Sequence, residues 1–381
     1  MRFPEFHGEW EKCKLGDIAI LTKGSGISKD QRSATGTPCI LYGELYTTYK
    51  SEVIDYVVSK TDISDKNLVR SCANDIIIPS SGETAIDIST ARCVLSPDVL
   101  LGGDLNIIRL KDGDGRFFSY QLNGVRKHDI AKIAQGVSVV HLYGESIKGL
   151  TVSFPSNKEQ QKISTLLSLI DERIATQSKL IEDLKKLKSA IIEKLYSEIQ
   201  GKEYSYRQLF EIINERNNRL EFSNVLSASQ ERGMVSREDL NLDIKFERSN
   251  INTYKIVRNG DYVIHLRSFQ GGFAFSDIVG VCSPAYTIMR PKDLLEYGYL
   301  SYYFTSRQFI KSLVIVTYGI RDGRSINVDE WFDMKIVIPT KEQQRHIVRT
   351  IKVFENKIEN EEIYASCLLK QKQHLLRQMF I

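Results

Sequence analysis

Histidine, cysteine and glycine-rich segments are where a chain of this kind would carry chemistry, and their spacing here points away from catalysis. The six histidines (His7, His128, His141, His265, His346, His374) include no two that stand four apart. That removes the H-E-x-x-H arrangement, which sets two zinc ligands on one helix face. His346 and His374 fall in a helical stretch without a co-ligand, the setting of a surface or structural imidazole. The six cysteines (Cys13, Cys39, Cys72, Cys93, Cys282, Cys367) form no C-x-x-C pair, so neither a zinc knuckle nor a disulfide frame is expected, and the thiols should be reduced and mostly buried. "KGSGISK" (Lys23–Lys29) has two glycines but not the spacing of a phosphate loop, and no G-x-G-x-x-G opens a helix after a strand. No two prolines are adjacent, which removes the [ND]-P-P-[FYW] motif of amino-methyltransferases. Pro97-Asp98 is not followed at short range by the acid-x-lysine pattern of a metal-dependent nuclease. The expectation is a recogniser and not an enzyme, with no catalytic residues and no metal site.

Composition sets the scale on which such a recogniser is built. At 381 residues and 42% hydrophobic, the chain is long enough for two or three domains with real cores. A net charge of +4 permits nucleic-acid binding without demanding it. The opening "MRFPEFHGEWEKCKLG" places charges at Glu5, Glu9, Glu11 and Lys12, where a signal peptide needs an apolar run, and no apolar segment of 18 residues occurs. The expected setting is cytoplasmic, away from membranes.

The elements repeat. "PSNKEQQKI" (Pro155–Ile163) returns as "PTKEQQRHI" (Pro339–Ile347), the prolines 184 positions apart (339 − 155). In the same order, "NDIIIPSS" (Asn74–Ser81) matches "GDYVIHLRS" (Gly260–Ser268) and "NIIRLKDG" (Asn106–Gly113) matches "TIMRPKD" (Thr287–Asp293). "FFSYQL" (Phe117–Leu122) then matches "YLSYYF" (Tyr299–Phe304), "QGVSVVHL" (Gln135–Leu142) matches "YGIRDGRSI" (Tyr318–Ile326), and "LTVSFP" (Leu150–Pro155) matches "MKIVIP" (Met334–Pro339).

From Ile163 an alternating four-three spacing selects Ile163, Leu167, Ile170, Ile174, Gln177, Ile181, Leu184, Lys188, Ile191 and Leu195. Moved by 184 it selects Ile347, Ile351, Phe354, Ile358, Glu361, Ala365, Leu368, Lys372, Leu375 and Met379. Eight of ten positions in each set are apolar, as a coiled-coil seam requires, and the polar interruptions coincide. Both helix starts show a capping-box pattern, Ser156 with Glu159 and Thr340 with Gln343, each after a proline, and Gly201 supplies a stop.

The expected fold is α+β: two mixed domains at 1–155 and 202–338, each followed by a spacer helix, at 156–201 and 339–381. The two helices are expected to pair as an antiparallel coiled coil with a pseudo-twofold internal repeat. The seam residues on offer are Ile163, Leu167, Ile170, Ile174, Ile181, Leu184, Ile191, Leu195, Ile347, Ile351, Phe354, Ile358, Ala365, Leu368, Leu375 and Met379.

Two variable-looking domains separated by matching helices, each opening with proline and an "EQQ" segment, closely resemble the specificity subunits of type I restriction-modification systems. The resemblance covers the whole chain. "WEKCKLGDI" (Trp10–Ile18) also resembles the family's domain start, and "YSYRQLFEI" (Tyr204–Ile212) is taken as its counterpart, without the tryptophan or the glycine. The resemblance implies that each domain is a target recognition domain reading half of a bipartite site on double-stranded DNA, and that the helices set the unread gap. It further implies docking of two methyltransferase subunits and recruitment of restriction subunits. S-adenosylmethionine is then bound by the partner methyltransferase, and no cofactor by this chain. Shared phosphate contacts in such a complex suit a modest net charge. The other reading is a coiled-coil protein–protein adaptor that reads no DNA.

Base edges in the major groove are read by side chains with long donors and by amides, from loops on a rigid scaffold. In the second domain "HLRSFQGG" (His265–Gly272) and "YGIRDGRS" (Tyr318–Ser325) offer Arg267, Gln270, Arg321 and Arg324. In the first, "PSSGET" (Pro79–Thr84) and "QGVSVVH" (Gln135–His141) offer Ser80, Ser81, Gln135, Ser138 and His141. Lys23, Ser25 and Lys29 are candidate phosphate contacts.

Overall fold

The computed structural model describes residues 2–64, 67–229, 232–240, 248–265, 272–318 and 325–380. The chain divides into two compact units, 1–179 with 362–381, and 180–361.

In the first unit the central sheet has five strands in the order Ala19–Lys23, Leu105–Leu110, Asp75–Pro79, Arg92–Val94 and Val53–Ile54. Asp75–Pro79 is buried along its length, which is why "DIIIP" reads as an unbroken apolar run and not as an alternation. Side chains from this sheet and from the helix Gly115–Asn123 close a core around Ile76, Ile78, Ile108, Phe117, Phe118 and Tyr120. A second ribbon joins Glu11–Lys14, near the start of the unit, to Thr151–Phe154, just before the long helix.

The second unit repeats this plan. Its sheet runs Phe210–Ile213, Thr287–Pro291, Tyr262–Ile264 and Phe273–Phe275, and its ribbon joins Lys202–Ser205 to Lys335–Ile338. The core is more aromatic: Trp331 is fully buried and stacks on Tyr206 at 4.1 Å, with Phe210, Phe273 and Phe304 around it. One electrostatic device occurs in both sheets. Arg109 grips buried Asp75 through Nε (2.8 Å) and Nη2 (2.7 Å), and Arg290 grips buried Asp261 the same way (2.9 and 3.0 Å). Each carboxylate also accepts a backbone N–H three residues upstream, from Cys72 or Arg258, so both buried charges are paired and hydrogen-bonded.

The ribbons revise one sequence match. Lys14 pairs with Thr151 and Ser205 with Lys335, so the equivalent of Leu15 is Tyr206, and Trp10 stands where the second unit has Gly201. The written match of Trp10–Ile18 to Tyr204–Ile212 is three residues out, because strand pairing and not letter identity fixes the register.

The long helices run Asn157–Ser197 and Lys341–Met379. Within the first unit Asp171 meets Lys372 and Arg173 lies over Tyr364, so the two helices run antiparallel there. Every position of the two four-three series is buried or half-buried, while the neighbours between them are largely exposed. At the second helix start the capping box forms: Thr340 Oγ1 accepts the Gln343 N–H and Gln343 Oε1 accepts the Thr340 N–H. At the first start the Glu159 carboxylate is buried and taken by Arg2, Nε at 2.8 Å and Nη2 at 2.7 Å. A nearby cation outbids the capping contact, because a buried carboxylate needs a charged partner.

Candidate nucleic-acid interface

Register places several candidate residues along one edge of the first unit's sheet. Lys23 ends its strand opposite Asn106, and Asn106 in turn faces Ile78, so Lys23 and the Pro79–Ser81 segment leave the sheet on the same side. Beyond that edge, Gln135 and His141 close a hairpin by exchanging backbone hydrogen bonds of 2.9 and 2.7 Å. Gly136 turns the hairpin with φ 121°, and a Cβ there would lie 2.1 Å from the Val139 carbonyl oxygen, so glycine is required. The hairpin is tied back by pairing of Val140 with Gly82 and of His141 with Ser81.

The structure therefore brings Ser80, Ser81, Gln135, Ser138 and His141 together. Gln135, Ser138 and His141 are exposed, Ser138 on the turn itself, and Ser81 is half-buried. Ser80 is buried: its N–H donates to the Asp104 carbonyl at 2.7 Å and its carbonyl accepts the Leu142 N–H at 2.9 Å, which gives it a scaffolding part. Ser25 is half-buried and its hydroxyl accepts the Val69 N–H at 2.7 Å. Lys23 and Lys29 are exposed, Lys29 opening a short 3-10 turn at Lys29–Gln31.

Sequence reasoning passed over Val137 and Tyr143. Val137 is 96% exposed at the hairpin turn, and Tyr143 is exposed and stacks on His141 at 6.3 Å between centroids. Neither carried a signal in the sequence, because single exposed apolar side chains are ordinary on a protein surface.

In the second unit paired strands flank both candidate loops. Tyr262–Ile264 and Phe273–Phe275 form a hairpin closed by the His265 N–H on the Gly272 carbonyl at 2.8 Å. Thr317–Tyr318 pairs with Ser325–Ile326, the counterpart of the Gln135–His141 hairpin. Arg267, Gln270, Arg321 and Arg324 lie on the intervening segments, outside the described residues.

Among the described residues no cluster of three or more His, Cys, Asp or Glu side chains could hold a metal ion, and no helix is long and apolar enough to cross a membrane. Burial pushes the Cys39 thiol up to about 11 and the Cys282 thiol up to about 12, and raises Cys93 further still, so these three thiols stay protonated and unreactive at neutral pH.

Comparison with known proteins gives one family. Residues 7–186 match the type I restriction modification DNA specificity domain. A relative from Methanocaldococcus jannaschii, named for the specificity subunit of the MjaX type I restriction enzyme, is 23% identical over 387 residues, covering 93% of this chain and 89% of its own. Two solved structures share the fold. The type I restriction-modification S subunit from M. genitalium superposes with TM-score 0.58 at 17% identity, over 100% of this chain and 99% of its own. A chain from a study of complex assembly and conformational transition of the type I R-M system gives TM-score 0.62 at 14% identity, over 98% of each.

Proposed function

We propose that this chain is a specificity subunit of the type I restriction-modification kind and that it chooses the DNA sequence at which a type I complex acts, each unit reading one half of a bipartite target. The observation that carries this reading is the doubled hairpin. In the first unit the Gln135–His141 hairpin is held by its own backbone hydrogen bonds and by pairing with Ser81–Gly82; in the second, Ile264 pairs with Phe273 and Tyr318 with Ser325, the strands that flank the loops the sequence marks as polar donors. Rigid loops are what base-edge readout needs, because a donor must be held within hydrogen-bond geometry of one edge and away from others. Gln135 and His141 are the candidate base contacts of the first unit and Lys23 and Lys29 its candidate phosphate contacts. Arg267, Gln270, Arg321 and Arg324 are those of the second.

In this reading the chain is not a catalyst. Two methyltransferase subunits, carrying S-adenosylmethionine, dock on it and restriction subunits join them. The adaptor reading is not favoured, since the family match is to a DNA specificity domain. The test is co-expression with a type I methyltransferase subunit and mapping of methylated adenines. Two short sequences separated by a fixed unread gap are expected, and scattered or single-block methylation would refute the proposal.

A further inference from the structure

A polar triad recurs at equivalent places in the two units. In the first, the Tyr120 hydroxyl donates to Asp171 Oδ2 at 2.8 Å, and Lys372 Nζ reaches Asp171 Oδ1 at 2.5 Å. In the second, the Tyr302 hydroxyl donates to Glu355 Oε2 at 2.7 Å, and Lys188 Nζ reaches Glu355 Oε1 at 3.2 Å. The two carboxylates are 184 positions apart (355 − 171), as are the two lysines (372 − 188), and the tyrosines 182 apart (302 − 120). The roles exchange helices. In the first unit the carboxylate is on the first long helix and the lysine on the second, and in the second unit the reverse holds.

Each triad therefore joins three elements of its own unit: a short helix of the globular domain (Gly115–Asn123 or Tyr299–Tyr303) and both long helices. Apolar packing alone holds a domain against a helix without fixing its rotation, because it is non-directional. A hydroxyl and an ammonium on the two oxygens of one carboxylate are directional on both sides. The lysines, which interrupt the apolar seam, are the residues that reach across it, a role polar seam residues fill when they set register.

We infer that Tyr120–Asp171–Lys372 and Tyr302–Glu355–Lys188 are positioning residues that set how each recognition domain stands on the helix pair of its own unit, and thereby how that domain meets DNA. This rests on the DNA-specificity reading above. The first triad is the stronger. Asp171 and Lys372 have side chains only 8% and 11% exposed, and Ser51, Ser168 and Glu52 add contacts, Ser51 on Asp171, Ser168 on Tyr120 and Glu52 on Lys372. The second is open to solvent, with Lys188 at 28% and Glu355 at 37%.

The test uses the whole subunit co-expressed with its methyltransferase, comparing the wild type with Lys188→Glu, Glu355→Lys, the double exchange, and Tyr302→Phe, by methylation mapping and thermal unfolding. The single exchanges are expected to raise the fraction of methylated sites with an altered gap or a relaxed second half-site by about tenfold. The double exchange should bring the fraction back to within about twofold of wild type. Tyr302→Phe, which removes one oxygen and keeps the fold, should show a smaller rise in the same fraction. Single exchanges that lower the melting temperature but leave motif and gap unchanged would show a merely structural contact and overturn the inference, as would a double exchange that fails to restore the motif. A wild type with no bipartite motif would instead overturn the DNA reading itself, and the inference with it.

Discussion

The first and second long helices begin with nearly the same word, yet they are held alike at one position and differently at the position before it. Gln160 and Gln344, 184 apart, are both buried. Gln160 donates to the Pro155 carbonyl at 2.8 Å and accepts the Asp114 N–H at 3.0 Å. Gln344 donates to the Pro339 carbonyl at 3.0 Å and accepts the Glu296 N–H at 2.8 Å. One step earlier, Glu159 is a buried anion on Arg2 while Gln343 folds back on Thr340 as a cap. The repeated letters "KEQQ" are one residue out of step with this geometry. What the two units share is a contact, with an amide locking the helix start to its domain, and the residue beside it was free to diverge.

The polar triads break the comparison most sharply. Asp171→Ala should cost about 3–5 kcal/mol, because it removes the acceptor of the buried Tyr120 hydroxyl and leaves Glu52 as the one remaining carboxylate on Lys372. Glu355→Ala, at a half-exposed pair, should cost at most about 1 kcal/mol. Urea unfolding of the two variants reads the ratio directly, and equal costs would mean that the triads are not graded by burial. Gln160→Ala and Gln344→Ala should be alike, each losing about 1–3 kcal/mol from an unpaired backbone N–H and carbonyl. Arg2→Ala, which leaves buried Glu159 without its cation, should lower the urea midpoint, whereas Gln343→Ala should cost about 1 kcal/mol as a lost cap.

The smallest effects are in the pH dependence, and there the two units differ in sign. Burial raises the Glu52 carboxyl above 4.5, against the pull of Lys372, so its stabilising form is the protonated one. That contribution is complete below 4.5 and is lost as pH rises through the raised value. Glu215, held below 4.5 by its hydrogen bonds from Arg258, contributes above 4.5 and loses its contribution as pH falls through the lowered value. Melting curves of Glu52→Gln and Glu215→Gln against pH should depart from wild type in opposite directions, each by under about 2 °C.

Much of this architecture is legible in the sequence because it is periodic. The four-three spacing from Ile163 and from Ile347 locates two helices, and the interruptions at Lys188 and Lys372 mark the triads without revealing their partners. Those partners, Tyr120 and Tyr302 on short helices and Asp171 and Glu355 off the seam, come together only through tertiary packing, which carries no local pattern. Letter matching misplaced Trp10 against Tyr204 because the ribbon strands are short and share few side chains, and only their pairing fixes the register. At the candidate interface, Gly136 announces the turn by type. Ser80 and Ser25 carry the same polar signal as Ser138, yet the first is buried and the second half-buried with its hydroxyl engaged, since a serine's sequence context does not say which way its hydroxyl faces.

The central claim is that one chain holds two equivalent, separately acting readers. The measurement that bears on it most directly is methylation mapping of the complex carrying Gln135→Ala with His141→Ala. The account predicts that one half of the target becomes degenerate, by about 1–3 kcal/mol of lost discrimination, while the other half and the gap stay as in the wild type. Degeneracy spread over both halves, or a target left unchanged, would contradict it.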